Sequence, residues 1–282
     1  MQTTLITIGL ILSIVVCFAL PVVSFLVMRR KKLKIGRAFF VGVLAFSVSQ
    51  VLIRIPLLNV FGQTPFMLQL SQNIVPYGLF LGFTAGLFEE VARFLFCKLL
   101  LKKNRRYVDA IAFGFGHGGI EAILLVGFML INSLILYIAM NNGTLVAMVG
   151  EATAATVMAQ LGTLTPVTSI LGGVERIFAV LLHIGFSVMV FTGFVRKQPG
   201  KYLVFAILAH TVVDAAVVII PSFVPMSALA LEGIVLVFAA LSLFYTLRAK
   251  KNFPTVELPA EAIGVIPAQD ASEQPAGPAE QQ

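Results

Sequence analysis

Residues 113–122 read FGFGHGGIEA and lie inside an apolar run that extends over 107–139. At 1.5 Å per residue such a run is long enough to cross the ~30 Å hydrocarbon layer of a bilayer. It places an imidazole, His117, and a carboxylate, Glu121, where lipid chains would otherwise be. What the other apolar segments carry at the same depth decides what these groups are for.

Of the 282 residues, 59% are hydrophobic and 12% charged. That is more apolar sequence than a water-soluble core uses, and it predicts an all-α, polytopic membrane protein. Seven spans are expected, at 4–28, 38–58, 74–101, 107–139, 173–195, 202–221 and 226–247. The fourth is too long for one straight crossing and is expected to break near its glycines or extend past the bilayer. The net charge of +7 does not point to nucleic acid, because Lys and Arg sit in short runs between apolar segments. These runs are RRKKLKIGR (29–37), KKNRR (102–106), RKQPGK (196–201) and RAKK (248–251), while 59–73, 140–172 and 222–225 contain no Lys or Arg. Every second loop is therefore basic, which predicts the N-terminus outside and the C-terminus in the cytoplasm.

The first span has RRKK after it and no basic residue before it, the reverse of a secretory signal, so it reads as a retained anchor. The Ala/Thr-rich stretch 140–172 reads as an external loop with a short helix. Residues 1–251 form the membrane domain, with the functional core at about 85–223, and the Pro/Ala/Glu/Gln-rich tail 252–282 reads as disordered. Cys17 and Cys97 lie in separate apolar segments and suit packing, not a disulfide or a metal pair.

Ionisable groups inside a bilayer cost ~2.5–3.5 kcal/mol each on insertion scales and mark function by default. Span three carries Glu89, Glu90 and Arg93, span four His117 and Glu121, span five His183, and span six His210 and Asp214. All three histidines of the chain belong to this set. Counted from the cytoplasmic end of each span, Glu89, Glu90, His117, His183 and His210 lie roughly 12–18 Å deep. Four helices thus present a carboxylate or an imidazole at one level. Glu121 follows His117, and Asp214 follows His210, by one helical turn on the same face; in HGGIE the carboxylate is placed to orient the imidazole, and in HTVVD both groups are placed to bind one metal or one water. Arg93 is spaced to neutralise one of the adjacent glutamates and leave the other facing a cavity. Gly114 and Gly118 form a small-residue face for close helix packing. Glu175–Arg176 reads as an ion pair at the outer end of its span, Asp109 as an interfacial charge, and Arg54 and Glu232 as structural.

Two histidines with carboxylates can hold a metal and leave a position open for water. The same groups can also activate water without metal, through a carboxylate base and an imidazole at the oxyanion. The sequence has no HExxH and no GxGD, and no serine–histidine pairing of rhomboid type.

EEVAR, GFGHGGIEA, ERIFAVLLHIGFS and HTVVDA, in that order over about 85–223, resemble the YhfC family of bacterial membrane proteins. That family is similar to PrsW and to the wider CPBP group, which includes the type II CAAX prenyl endopeptidases. The resemblance implies an intramembrane protease of a bacterial plasma membrane, with Glu89, Glu90, His183, His210 and Asp214 as candidate catalytic residues. Glu89 or Glu90 would serve as general base. Arg93, His117 and Glu121 would line or support the site. A metal, if used, would be zinc or another divalent ion on Glu89, His183, His210 and Asp214; a glutamic mechanism needs no cofactor. EExxR here stands where the CAAX enzymes have EExxxR, which moves the arginine around the helix. The expected partners are the bilayer and a membrane-embedded peptide or protein substrate, not nucleic acid. A proton- or metal-coupled transporter and a catalytically silent scaffold remain as alternative readings.

Overall fold

A backbone in hydrocarbon has no water to bond, so each apolar segment must close its hydrogen bonds within itself, and helices do this. The computed structural model describes residues 1–31 and 33–254. Among these residues there is no β-strand. The long helices are α1 (Gln2–Arg30), α2 (Gly36–Phe61), α4 (Ile74–Leu100), α5 (Tyr107–Asn141), α8 (Pro166–Val195), α9 (Pro199–Phe223) and α10 (Ala228–Ala249). Short helices α3 (Pro65–Leu70), α6 (Leu145–Val149) and α7 (Glu151–Leu161) fill two connections. Among the described residues six helices are long and apolar enough to cross a membrane, while α4, of 27 residues, carries Glu89, Glu90, Arg93 and Lys98 in its second half.

Two boundaries differ from the sequence reading. The long fourth segment is one helix, α5, with a π-helical stretch at Ala122–Gly127, just beyond HGGIE. The fifth span begins at Pro166, not 173, because Thr165 and Thr168 close a reciprocal cap around a proline at the first helical position. The tail from 255 lies outside the described residues. Phe253, placed in the tail by composition, is buried against the Tyr107 ring, with centroids 5.5 Å apart.

The basic loops gather at one end of the bundle. The Arg106 guanidinium donates to the Leu33 carbonyl at 3.1 Å, and Arg105 lies over the Phe194 ring at 4.3 Å. The Tyr107 hydroxyl donates to the Thr246 carbonyl at 2.9 Å. Asp109 is fully buried and paired with Arg106 at 2.7 Å, which closes the start of α5.

α8 is the central helix. It packs against α1, α4, α5, α9 and α10, and even its polar residues Arg176, His183 and Ser187 are buried. The approach of α5 to α8 needs its glycines. A methyl group on Gly114 would sit 2.5 Å from Ile184 Cα, and one on Gly118 would sit 2.9 Å from the His183 ring. Gly118→Val is therefore expected to push His183 out of place. The check is a structure of the variant, in which the His183 ring is expected to be displaced, with the helix content of wild type by circular dichroism. Cys17 and Cys97 are buried and free.

Candidate active site and metal centre

α4, α5, α8 and α9 bring their ionisable residues to one point. Glu89 Oε2 lies 3.0 Å from His117 Nε2, 3.8 Å from His183 Nδ1 and 3.9 Å from His210 Nε2. Three imidazoles from three helices surround one carboxylate oxygen. All four residues are buried.

The adjacent glutamates divide their work. Glu90 turns about 100° away along the helix, is fully buried, and meets Arg93 Nε at 3.0 Å and His210 Nδ1 at 2.9 Å. Arg93 in turn donates from Nη1 to the His183 carbonyl at 2.9 Å and to Ser187 Oγ at 2.5 Å. Its Nη2 lies 3.3 Å from His183 Nδ1. Glu90 and Arg93 thus act as a buried frame for His210 and His183, and Glu90 does not reach the cavity.

The frame sets the tautomers. A carboxylate only accepts, so His210 Nδ1 donates to Glu90, and its Nε2 faces Glu89 and Asp214 at 3.9 and 3.6 Å. His183 Nε2 lies 2.6 Å from Glu121 Oε2 and donates there, which leaves the Nδ1 lone pair toward Arg93 and Glu89. These assignments follow from the partners' chemistry.

Three expectations need correcting. Glu121 does not orient His117, one turn away on its own helix. It reaches across to α8, where His183 Nε2 at 2.6 Å and Arg176 Nη1 at 2.8 Å outcompete a local contact. His117 instead bonds Glu89, and its Nδ1 is buried with no partner. The four-residue metal set does not hold in full. Ligand atoms of Glu89, His117 and His183 all lie within 4.8 Å of one another. Asp214 is one turn further from the basic end, partly exposed, and 3.6 Å from His210 Nε2. Last, Arg176 is not confined to a peripheral pair with Glu175. It bridges Glu121 to Glu175 and lines the site. Sequence reasoning missed this role, although Arg176 precedes His183 by two turns on one face of α8. Arg54, by contrast, ties α2 to α4 through Thr84 Oγ1 at 3.2 Å and the Leu81 carbonyl at 2.9 Å.

A polar cavity of about 120 Å³ opens on this centre, lined among others by Glu89, Glu121, Glu175, Arg176, His183 and Asp214. It has room for a few waters.

The donor set fits a divalent metal. Two imidazole nitrogens and one carboxylate, with further groups nearby, match a catalytic site of three protein ligands and an open position. Glu121, hydrogen-bonded to His183, supplies the carboxylate behind a ligating histidine that such sites use. The His183 Nδ1 lone pair receives the longest of Arg93's contacts, so this nitrogen would be available to a divalent ion. Glu121→Gln is expected to weaken metal binding about 10- to 100-fold, read by titration against a chelating indicator.

A family model described as YhfC intramembrane metalloprotease matches residues 16–239. The chain is 33% identical over 252 residues to the uncharacterized membrane protein YhfC of Bacillus subtilis (strain 168), covering 86% of this chain and 96% of that protein. No solved structure matches. With its apolar helices and this match along most of its length, the chain is a multi-pass membrane protein and belongs to the YhfC family.

Proposed function

We propose that the protein is an intramembrane endopeptidase of a bacterial plasma membrane, metal-dependent, hydrolysing a peptide bond in a membrane-embedded or membrane-proximal substrate. The observation that carries this reading is the convergence of Glu89, His117, His183 and His210 from four helices beside a water-sized polar cavity. The description of the family model supports it. The order of Glu89–Glu90, His183 and His210–Asp214 supports placing the chain with the CPBP group.

Glu89, His117 and His183 would hold the ion. When bound, a divalent ion supplies Lewis-acid polarisation of the scissile carbonyl and makes a nearby water more acidic. Asp214, which faces the cavity, takes up the proton from the attacking water. His210, 3.6 Å away, passes it to the departing amine. Glu90 and Arg93 hold His210 and His183 in register, and Arg176 fixes Glu121 behind His183. Glu90, Arg93 and His210, buried in protein, act where water screens them little.

The reading is tested in liposomes with single-span peptides and matched Asp214→Asn and His210→Gln variants. Cleavage by wild type, with kcat reduced about 100-fold or more in each variant, is the expected result. Proton or metal flux across the same liposomes with no cleavage of any peptide would replace the protease with a transporter.

A further inference from the structure

An intramembrane protease must admit a polypeptide sideways from the lipid, and the bundle is unevenly closed. α10 is held by α8, where Ser242 Oγ donates to the Leu181 carbonyl at 2.9 Å, and hardly touches α9. Between them runs an apolar groove of about 370 Å³, within the size range of ligand sites. Val212 and Leu241 stand at its lipid-facing edge, 56% and 59% exposed respectively for Val212 and Leu241. A groove of about 400 Å³ between α2 and α4 is just as apolar but shares no lining residue with the polar cavity. The α8–α9–α10 groove shares Leu182, Phe186 and Val213 with it. The Phe186 ring is the partition, stacked on His210 at 4.7 Å and 12°.

We propose that this groove receives a bulky apolar side chain of a membrane-spanning substrate segment that enters between α9 and α10, on the basic-end side of the scissile bond. The inference rests on the proposed protease reading and names its substrate class. The direction follows from the helices. On α8 the groove runs from Leu182 to Met189, toward the basic end, whereas the acidic cavity runs from Phe186 back to Glu175. A chain lying across both sets an apolar residue on one side of His210 and its backbone among carboxylates on the other.

A peptide suits this groove better than a lipid tail. A helix must unwind at the bond to be cut, and freed N–H and C=O groups in hydrocarbon need partners. The polar cavity that adjoins the groove, lined by Glu121, Arg176 and Asp214, offers such partners. A lipid tail has no use for those polar partners and would fill the α2–α4 groove equally well, although that groove does not adjoin the polar cavity.

The test places a benzophenone side chain at Val212, at Leu241, or at Leu95 in the α2–α4 groove, in wild type and in Glu89→Gln. The probe is a Lys-flanked Leu/Ala single-span peptide with one Phe moved along its length. Expected are peptide adducts at Val212 and Leu241 about tenfold above Leu95, peaking at one Phe position and lost when Ala209→Phe fills the groove. Equal adducts at all three positions, or lipid adducts alone, would overturn the proposal. The readout does not need cleavage. Adducts without cleavage keep the docking site and remove the protease, and cleavage without adducts does the reverse.

Discussion

Glu89→Gln is expected to reduce cleavage by about 10⁴-fold, the scale seen when one member of a group acting as a unit is removed. On the proposed metal-dependent reading it is also expected to abolish metal binding. Glu89 Oε2 is close to all three histidines, at 3.0, 3.8 and 3.9 Å. Glutamine keeps the volume and the helix, so the protein should fold and insert as before. It loses the negative charge that would neutralise the ion and orders the imidazoles. Cleavage and metal content are measured on the same preparation, with thermal unfolding to show that the bundle is intact. Glu90→Gln makes the contrast. Glu90 sits behind the site with Arg93 and His210, so its loss should act through stability and positioning, with part of the metal retained. Equal and complete loss of metal in both variants would contradict the division of labour between the two glutamates.

Arg93→Met carries the largest expected effect on stability. Its guanidinium is fully buried and joins α4 to α8 through Glu90, the His183 carbonyl and Ser187. Removing it leaves the Glu90 charge in the bundle with only His210 beside it. Breaking a buried pair from one side costs about 3–5 kcal/mol. The double variant Arg93→Met with Glu90→Gln removes both charges and should recover much of that loss, because the cost is mainly the stranded carboxylate. The measurement is unfolding in bicelles for both singles and the double. Additive losses in the double variant would show that the pair is not coupled.

The membrane helices and the level of the site were legible in the sequence because both depend on one-dimensional quantities. Apolar run length gives a span, and counting from a basic loop gives a depth, so Glu89, His117, His183 and His210 could be set at one height before any packing was known. Arg93 could be assigned to one glutamate because its partner lies on its own helix. Partners across helices were not legible. Spacing along α5 suggested that Glu121 serves His117, but the contact that wins comes from α8, where His183 and Arg176 offer both a donor and a charge. The contact of His117 with Glu89 is hidden in the sequence for the same reason: Glu89 lies on α4. The metal set shifted accordingly, from Asp214, whose spacing to His210 is local, toward His117, whose place depends on glycines letting α5 close on α8. The early start of α8 was recoverable, since Thr165, Pro166 and Thr168 spell a helix cap, but the apolar count began only further on.

The measurement that bears most directly on the central claim is cleavage of a single-span peptide by one wild-type preparation, with metal equivalents counted at three stages. Before chelation, about one divalent ion per chain and full activity are expected. After chelation both should fall together, and both should return when zinc or another divalent ion is added back. Full cleavage by protein with no countable metal would contradict the metal-dependent reading and assign the reaction to Glu89 and the histidines alone.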